Sequence, residues 1–205
     1  MKKLSILIAI VCLYLLSAAC FANAFSVGSA DADAIVYNFR GPLAAGTSLS
    51  FTVDDFTVTA TGFSGPHASY VNRSFFGLGV SSWIFDNPQI DGLGPDDLAL
   101  LTFSGDMILK SAMFSLVGPD DDFRLMVDGD WVLDADIPHT GYVDFTKYLS
   151  LSDLTGSSFG FTVTGWNDDY MLAAIEVTQI PLPPAIILLS TGLMGLIGIR
   201  RRLRS

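Results

Sequence analysis

An all-β fold, an antiparallel β-sandwich of jelly-roll type, is what the sequence predicts, on three observations. Between Phe25 and Gln179 the apolar residues recur every second position, not every 3.6. Turn-forming pairs punctuate them: Gly41-Pro42, Gly65-Pro66, Asn87-Pro88, Gly94-Pro95, Gly118-Pro119, Asp128-Gly129 and Thr164-Gly165. No twelve-residue window carries a capped helical stripe, so about ten short strands are expected, 8–15 residues apart, with little helix.

The elements follow in chain order. Phe51 and Val53, then Phe56, Val58 and Ala60, alternate with threonines as half-buried strands do. Ile108, Ala112, Phe114 and Leu116 mark one face of the next long strand. Phe123, Leu125 and Val127, then Trp131 and Leu133, flank Asp128-Gly129, a pair suited to a type I′ turn because both central residues need positive φ. A hairpin over residues 123–134 follows. Phe159, Phe161 and Val163, and Met171, Ala173, Ile175 and Val177, supply the last two strands.

Charge is partitioned along the 205 residues. Residues 1–24 hold two lysines and no acid, and residues 180–205 hold four arginines and no acid. The stretch 25–179 carries five basic residues against all 21 acids, a net charge of -16. Such a body repels phosphate backbones, which argues against nucleic acid as a partner. At 155 residues it is one domain's worth of chain, able to bury roughly two-thirds of its surface.

The termini read as addresses. Lys2-Lys3, the apolar run Leu4–Leu16 and the small residues Ala22 and Ala24 form a secretory signal peptide cut after Ala24. A rival cut would leave Cys20 as a lipidated cysteine, although Ser17 stands where leucine is usual. After cleavage at Ala24 the chain keeps no cysteine, which excludes disulfides and thiol chemistry. At the other end, Pro181-Leu182-Pro183 precedes a charge-free stretch and the cluster Arg200, Arg201, Arg202 and Arg204. A helix over about 184–199, lengthened to 20 residues from Ile180, approaches the roughly 30 Å of a bilayer core. The arginines hold its end on the cytoplasmic side, and Gly192, Gly195 and Gly198 allow close approach by a partner.

This proline pair, glycine-containing apolar helix and arginine cluster behind a signal peptide resemble the PEP-CTERM sorting signal, with Leu182 where the family's name-giving glutamate stands. The resemblance covers about residues 180–205. It implies secretion across the inner membrane, then processing by exosortase, a membrane-embedded enzyme of exopolysaccharide-producing bacteria. It implies either a single-pass membrane anchor or release to the cell surface or extracellular matrix. Residues 77–103 also resemble a segment of other PEP-CTERM surface proteins, which implies a shared β fold. Three regions are thus expected: a signal peptide over 1–24, an acidic β domain over 25–179 and a sorting signal over 180–205.

Two constellations are candidates for binding. Asp86, Asn87, Asp91, Asp96 and Asp97 crowd hard oxygens into one loop, the donor type calcium takes, without the alternate spacing of an EF-hand. Asp120-Asp121-Asp122 is a second acidic run, whose plain reading is a solvated loop. Trp166 with Asp168, Asp169 and Tyr170 pairs aromatic faces with hydroxyl-accepting carboxylates, the chemistry that holds sugars, against the plain alternative that the rings fill the core. Trp83 and Trp131 also flank loops beside aspartates.

No catalytic residue is assigned. Gly156-Ser157-Ser158-Phe159-Gly160 fits G-x-S-x-G, but a strand pattern follows it where a nucleophile elbow needs a helix. His67 and His139 are the only histidines, too few for a three-histidine metal site. The expectation is a non-enzymatic surface or matrix protein that contacts exopolysaccharide. The alternatives are a carbohydrate-active enzyme on the same scaffold and a structural protein that self-assembles through calcium.

Overall fold

The computed structural model describes residues 34–82 and 86–180. The signal peptide, with Ala22 and Ala24, and the tail from Pro181 through the glycines to Arg202 lie outside the described residues, as does Trp83. Thirteen strands build the body: β1 Ile35–Asn38, β2 Ala44–Gly46, β3 Ser48–Val53, β4 Phe56–Ser64, β5 His67–Arg73, β6 Leu78–Ser81, β7 Ile90–Asp91, β8 Asp97–Ser115, β9 Asp122–Val127, β10 Asp130–Asp136, β11 Tyr142–Asp144, β12 Thr155–Thr162 and β13 Asp169–Gln179. Every pairing is antiparallel. A single 3₁₀ turn, Phe145–Lys147, is the helical content of the described residues.

The all-β antiparallel class stands. In place of the two separate sheets of a jelly-roll sandwich, however, β13, β6, β5, β4 and β8 close into a five-strand barrel. Closure depends on β8. A straight strand of its 19 residues would run roughly 60 Å, too long to follow one partner in a strongly twisted sheet. Its first part pairs β4 through Asp97–Phe103, and its second pairs β13 through Met107–Ser115. Between them Ser104, Gly105 and Asp106 are exposed, and the β12 register jumps from Ser158↔Thr102 to Gly156↔Met107. This bulge turns the strand, and closure removes edges that would otherwise stay unpaired.

Extra strands hang on the barrel. β12, β9 and β10 extend the sheet from β8's far side and β11 pairs there too; β3 lies on β4, β2 on β5, and β1 and β7 on β13. The core is aromatic. Phe103 meets Tyr37 at 5.6 Å and Phe159 at 5.8 Å between ring centres, both edge-on. Phe114 meets Phe123, Phe161 and Tyr170 within 6.0 Å. Such pairs add about 0.5–1.5 kcal/mol each beyond burial.

The hairpin around Asp128-Gly129 forms as expected, with φ of 48° and 95°. Two details differ from the alternation read in the sequence. Leu116 is exposed with φ of 59°, past the end of β8, and Leu109 rather than Ile108 is fully buried. Trp131 and Leu133 also take opposite faces: the two-residue turn sets Trp131 across from Met126, and a bulge at Val132 then brings Leu133 across from core residue Leu125.

Candidate functional site

The two candidate loops meet at the end of the barrel where β13 begins. Asp91 and Ile90 of β7 pair with Asp169 and Tyr170. The Gly92 N–H donates to the Asp168 carbonyl at 3.2 Å. A Cβ at Gly92 would strike the Gly165 carbonyl and crowd the Trp166 backbone, so glycine is what lets the loops close together. Gln89 ties them further, donating from Nε2 to Asp169 Oδ1 at 2.9 Å, and Asn87 Nδ2 donates to Gln89 Oε1 at 3.0 Å. Leu93, next to Gly92, and Trp166, next to Gly165, stay strongly exposed at 72% and 77%.

The four residues read as a sugar site therefore separate. Trp166 presents its ring to solvent. Asp168 is buried and caps its own turn, accepting from the Gly165 N–H and, at 3.4 Å, from the Thr164 hydroxyl. Asp169 is half-buried on Gln89. Tyr170 belongs to the core, packed on Phe114 and donating its hydroxyl to the Thr162 carbonyl at 2.7 Å. Burial, with the Asp168 and Asp121 charges, pushes its phenol well above the usual range.

The residues read as calcium ligands also have separate roles. Asp86 accepts from the Ser82 N–H at 2.7 Å and hydroxyl at 2.6 Å. Asp91 Oδ1 accepts from the Leu93 N–H at 3.1 Å, closing a local turn. Asp96 is exposed. Asp97 is buried at 2% exposure and its Oδ2 has no partner, while the Ser64 hydroxyl lies near both its carboxyl and the Pro95 carbonyl. Among the described residues no three His, Cys, Asp or Glu side chains assemble to hold a metal.

The electrostatics of this end follow from crowding. Residues 86–97, 118–122 and 163–169 carry nine aspartates and no lysine or arginine. Desolvation first, then the Asp91 and Asp86 charges, push Asp97 up to about 7. Burial also raises Asp91, Asp121 and Asp122, with neighbouring carboxylates adding to each. Asp121 is partly compensated by accepting from the Gly118 N–H, and Asp122 faces Asp136.

Ser157 and Ser158 lie inside strand β12, with no elbow, and both hydroxyls donate to Asp128 at 3.2 Å. A second surface, of which the sequence pointed only to Trp131, is the outer face of the β9–β10 hairpin, where Arg124 Cζ stands 5.1 Å from the centre of the Trp131 ring and Nε lies 3.6 Å from Asp134. The two-residue Asp128-Gly129 turn by itself sets Trp131 across from Met126, on the outer face, and Arg124 across from Leu133; the bulge at Val132, which leaves no local sequence signal, brings Asp134 across from Arg124 instead. No protein-family model, curated protein or solved structure matches this chain.

Proposed function

We propose that this chain is a secreted, non-enzymatic bacterial surface or matrix protein that associates with polysaccharide. The leader over 1–24 directs export. The segment over 180–205 tethers the body to the membrane or presents it to an exosortase-type processing enzyme. The observation that carries the binding part is Trp166: a large ring, 77% exposed, on a turn stiffened by the Asp168 cap and by packing against Gly92. Exposed aromatic faces of this kind stack on the C–H faces of sugars, and a stiff turn loses little entropy on binding. The acidic body favours polymers that are not themselves strongly anionic.

Two measurements test this reading. Fractionation of an exosortase-encoding host should place the protein in the envelope or medium, with the 1–24 segment removed. Replacing Arg200, Arg201 and Arg202 by alanine should then change its final location. In affinity electrophoresis through polysaccharide gels, Trp166→Ala should migrate faster than the parent protein. Full-length uncut protein in the cytosol, or migration unaffected by any polysaccharide, would refute it.

A further inference from the structure

The β9–β10 hairpin ends the sheet, since β10 pairs only with β9 among the described strands. Its inner face, Phe123, Leu125 and Val127, is buried core. Its outer face is set by register: Met126 stands across from Trp131, and Arg124 across from Asp134. The Arg124 guanidinium packs on the indole and pairs with Asp134, so three side chains brace one another. Trp131 still exposes 48% of its surface. Arg124, Trp131, Val132, Leu133 and Asp134 line a groove of about 240 Å³. Beside it the sheet surface is apolar: Gly160 is covered by the ends of Met126 and Leu98, which fill the space of its missing side chain.

These groups suit a particular chemistry. A pyranose ring offers an apolar C–H face and a rim of hydroxyls that each donate and accept. The indole supplies an apolar surface, the guanidinium supplies only donors and the carboxylate only acceptors, so the Arg–Asp pair can satisfy two neighbouring hydroxyls together. The groove is smaller than the roughly 300–1,000 Å³ that encloses a drug-sized ligand, which fits one ring of a chain lying across the face. Charge narrows the choice. Residues 122–136 hold Arg124 alone against Asp122, Asp128, Asp130, Asp134 and Asp136, so an acidic sugar is repelled.

We propose that the Trp131–Arg124–Asp134 groove binds a neutral hexose unit of a polysaccharide, as a second contact separate from Trp166. The inference rests on the polysaccharide reading above and deepens it, because two separate contacts on one molecule gain avidity for a polymer.

The test is affinity electrophoresis of the purified full-length chain through gels containing a neutral glucan, a neutral galactomannan, alginate or chitosan, each at low and high salt. Trp131→Ala, Arg124→Gln, Asp134→Asn, Trp166→Ala and the double tryptophan variant are compared, with circular dichroism confirming that each is folded. The expected result is retardation by a neutral gel that is insensitive to salt. Each hairpin variant should weaken it several-fold, and the double tryptophan variant should abolish it. Trp131→Ala migrating like the parent while Trp166→Ala loses all retardation would overturn the second site and leave the polysaccharide reading standing. Retardation by alginate or chitosan alone would overturn the neutral-sugar assignment. No retardation of the parent protein in any gel would remove the polysaccharide reading and this inference together.

Discussion

Asp128 and Ser158, thirty residues apart, are joined by a 2.8 Å hydrogen bond from the Ser158 N–H to Asp128 Oδ1. The same oxygen accepts from the Ser157 N–H at 3.0 Å and from both serine hydroxyls at 3.2 Å. One turn residue thus both makes the β9–β10 turn, at φ of 48°, and ties it to β12. Desolvation would raise its pKa, but the donors from Ser158 and Ser157 outweigh that and hold the carboxyl below its ordinary 3.8. Asp128→Ala should lower stability at pH 7 by about 1–3 kcal/mol, and Asp128→Asn by less because asparagine tolerates the left-handed backbone. A depressed folded pKa stabilises above the unfolded value and is lost as pH falls through the folded one. Urea unfolding at pH 7 and pH 3 should therefore show the gap between Asp128→Ala and the parent narrowing in acid.

Asp97 should behave in the opposite sense. Its folded pKa of about 7 lies above the ordinary 3.8, so between those values the folded state holds a proton that the unfolded state has released. Stability from this group falls as pH rises from about 4 to 7, by about 1.4 kcal/mol for each pH unit crossed. Asp97→Asn, neutral at every pH, should flatten the profile and raise the melting temperature above pH 7. Thermal melts from pH 4 to 8 decide it: a parent protein whose stability is level across that range contradicts the assignment.

Two buried tyrosines give a matched comparison. The Tyr170 hydroxyl donates to the Thr162 carbonyl, whereas the Tyr37 hydroxyl is buried with no partner. Tyr170→Phe should cost about 1–2 kcal/mol by leaving that carbonyl without its side-chain donor. Tyr37→Phe should be neutral or stabilising, because it removes a desolvated polar group. Chemical denaturation of both variants reads the difference in sign.

Gly79 in β6 faces the Pro88 carbonyl so closely that a Cβ could not be accommodated without moving backbone. Gly79→Ala should destabilise by more than about 2 kcal/mol and displace the loop that carries Gln89. Loss of protection at Val80, whose N–H donates to the Gln89 carbonyl at 3.2 Å, is the hydrogen-exchange signature to measure.

Much of the strand content was legible in local pattern. The alternation through Val58 and Ala60, or Phe123, Leu125 and Val127, reports which side of a strand is buried, and Asp-Gly reports a tight turn. The candidate site was legible only in part. Trp166 on its turn was recognisable, but Tyr170 and Asp168 beside it face inward, because what lies across from them is Phe114 and Gly165, far away or around a turn.

Residue order alone therefore settles the strand period, the turn positions and the division of charge into basic ends and an acidic body, since each depends on neighbours within a few residues. Barrel closure, the raised pKa of Asp97 and the pairing of Arg124 with Asp134 are settled only by the packed molecule. The first two depend on contacts from distant strands, and the third on a single bulged residue, Val132, which turns Leu133 toward the core and shifts Asp134 along the hairpin.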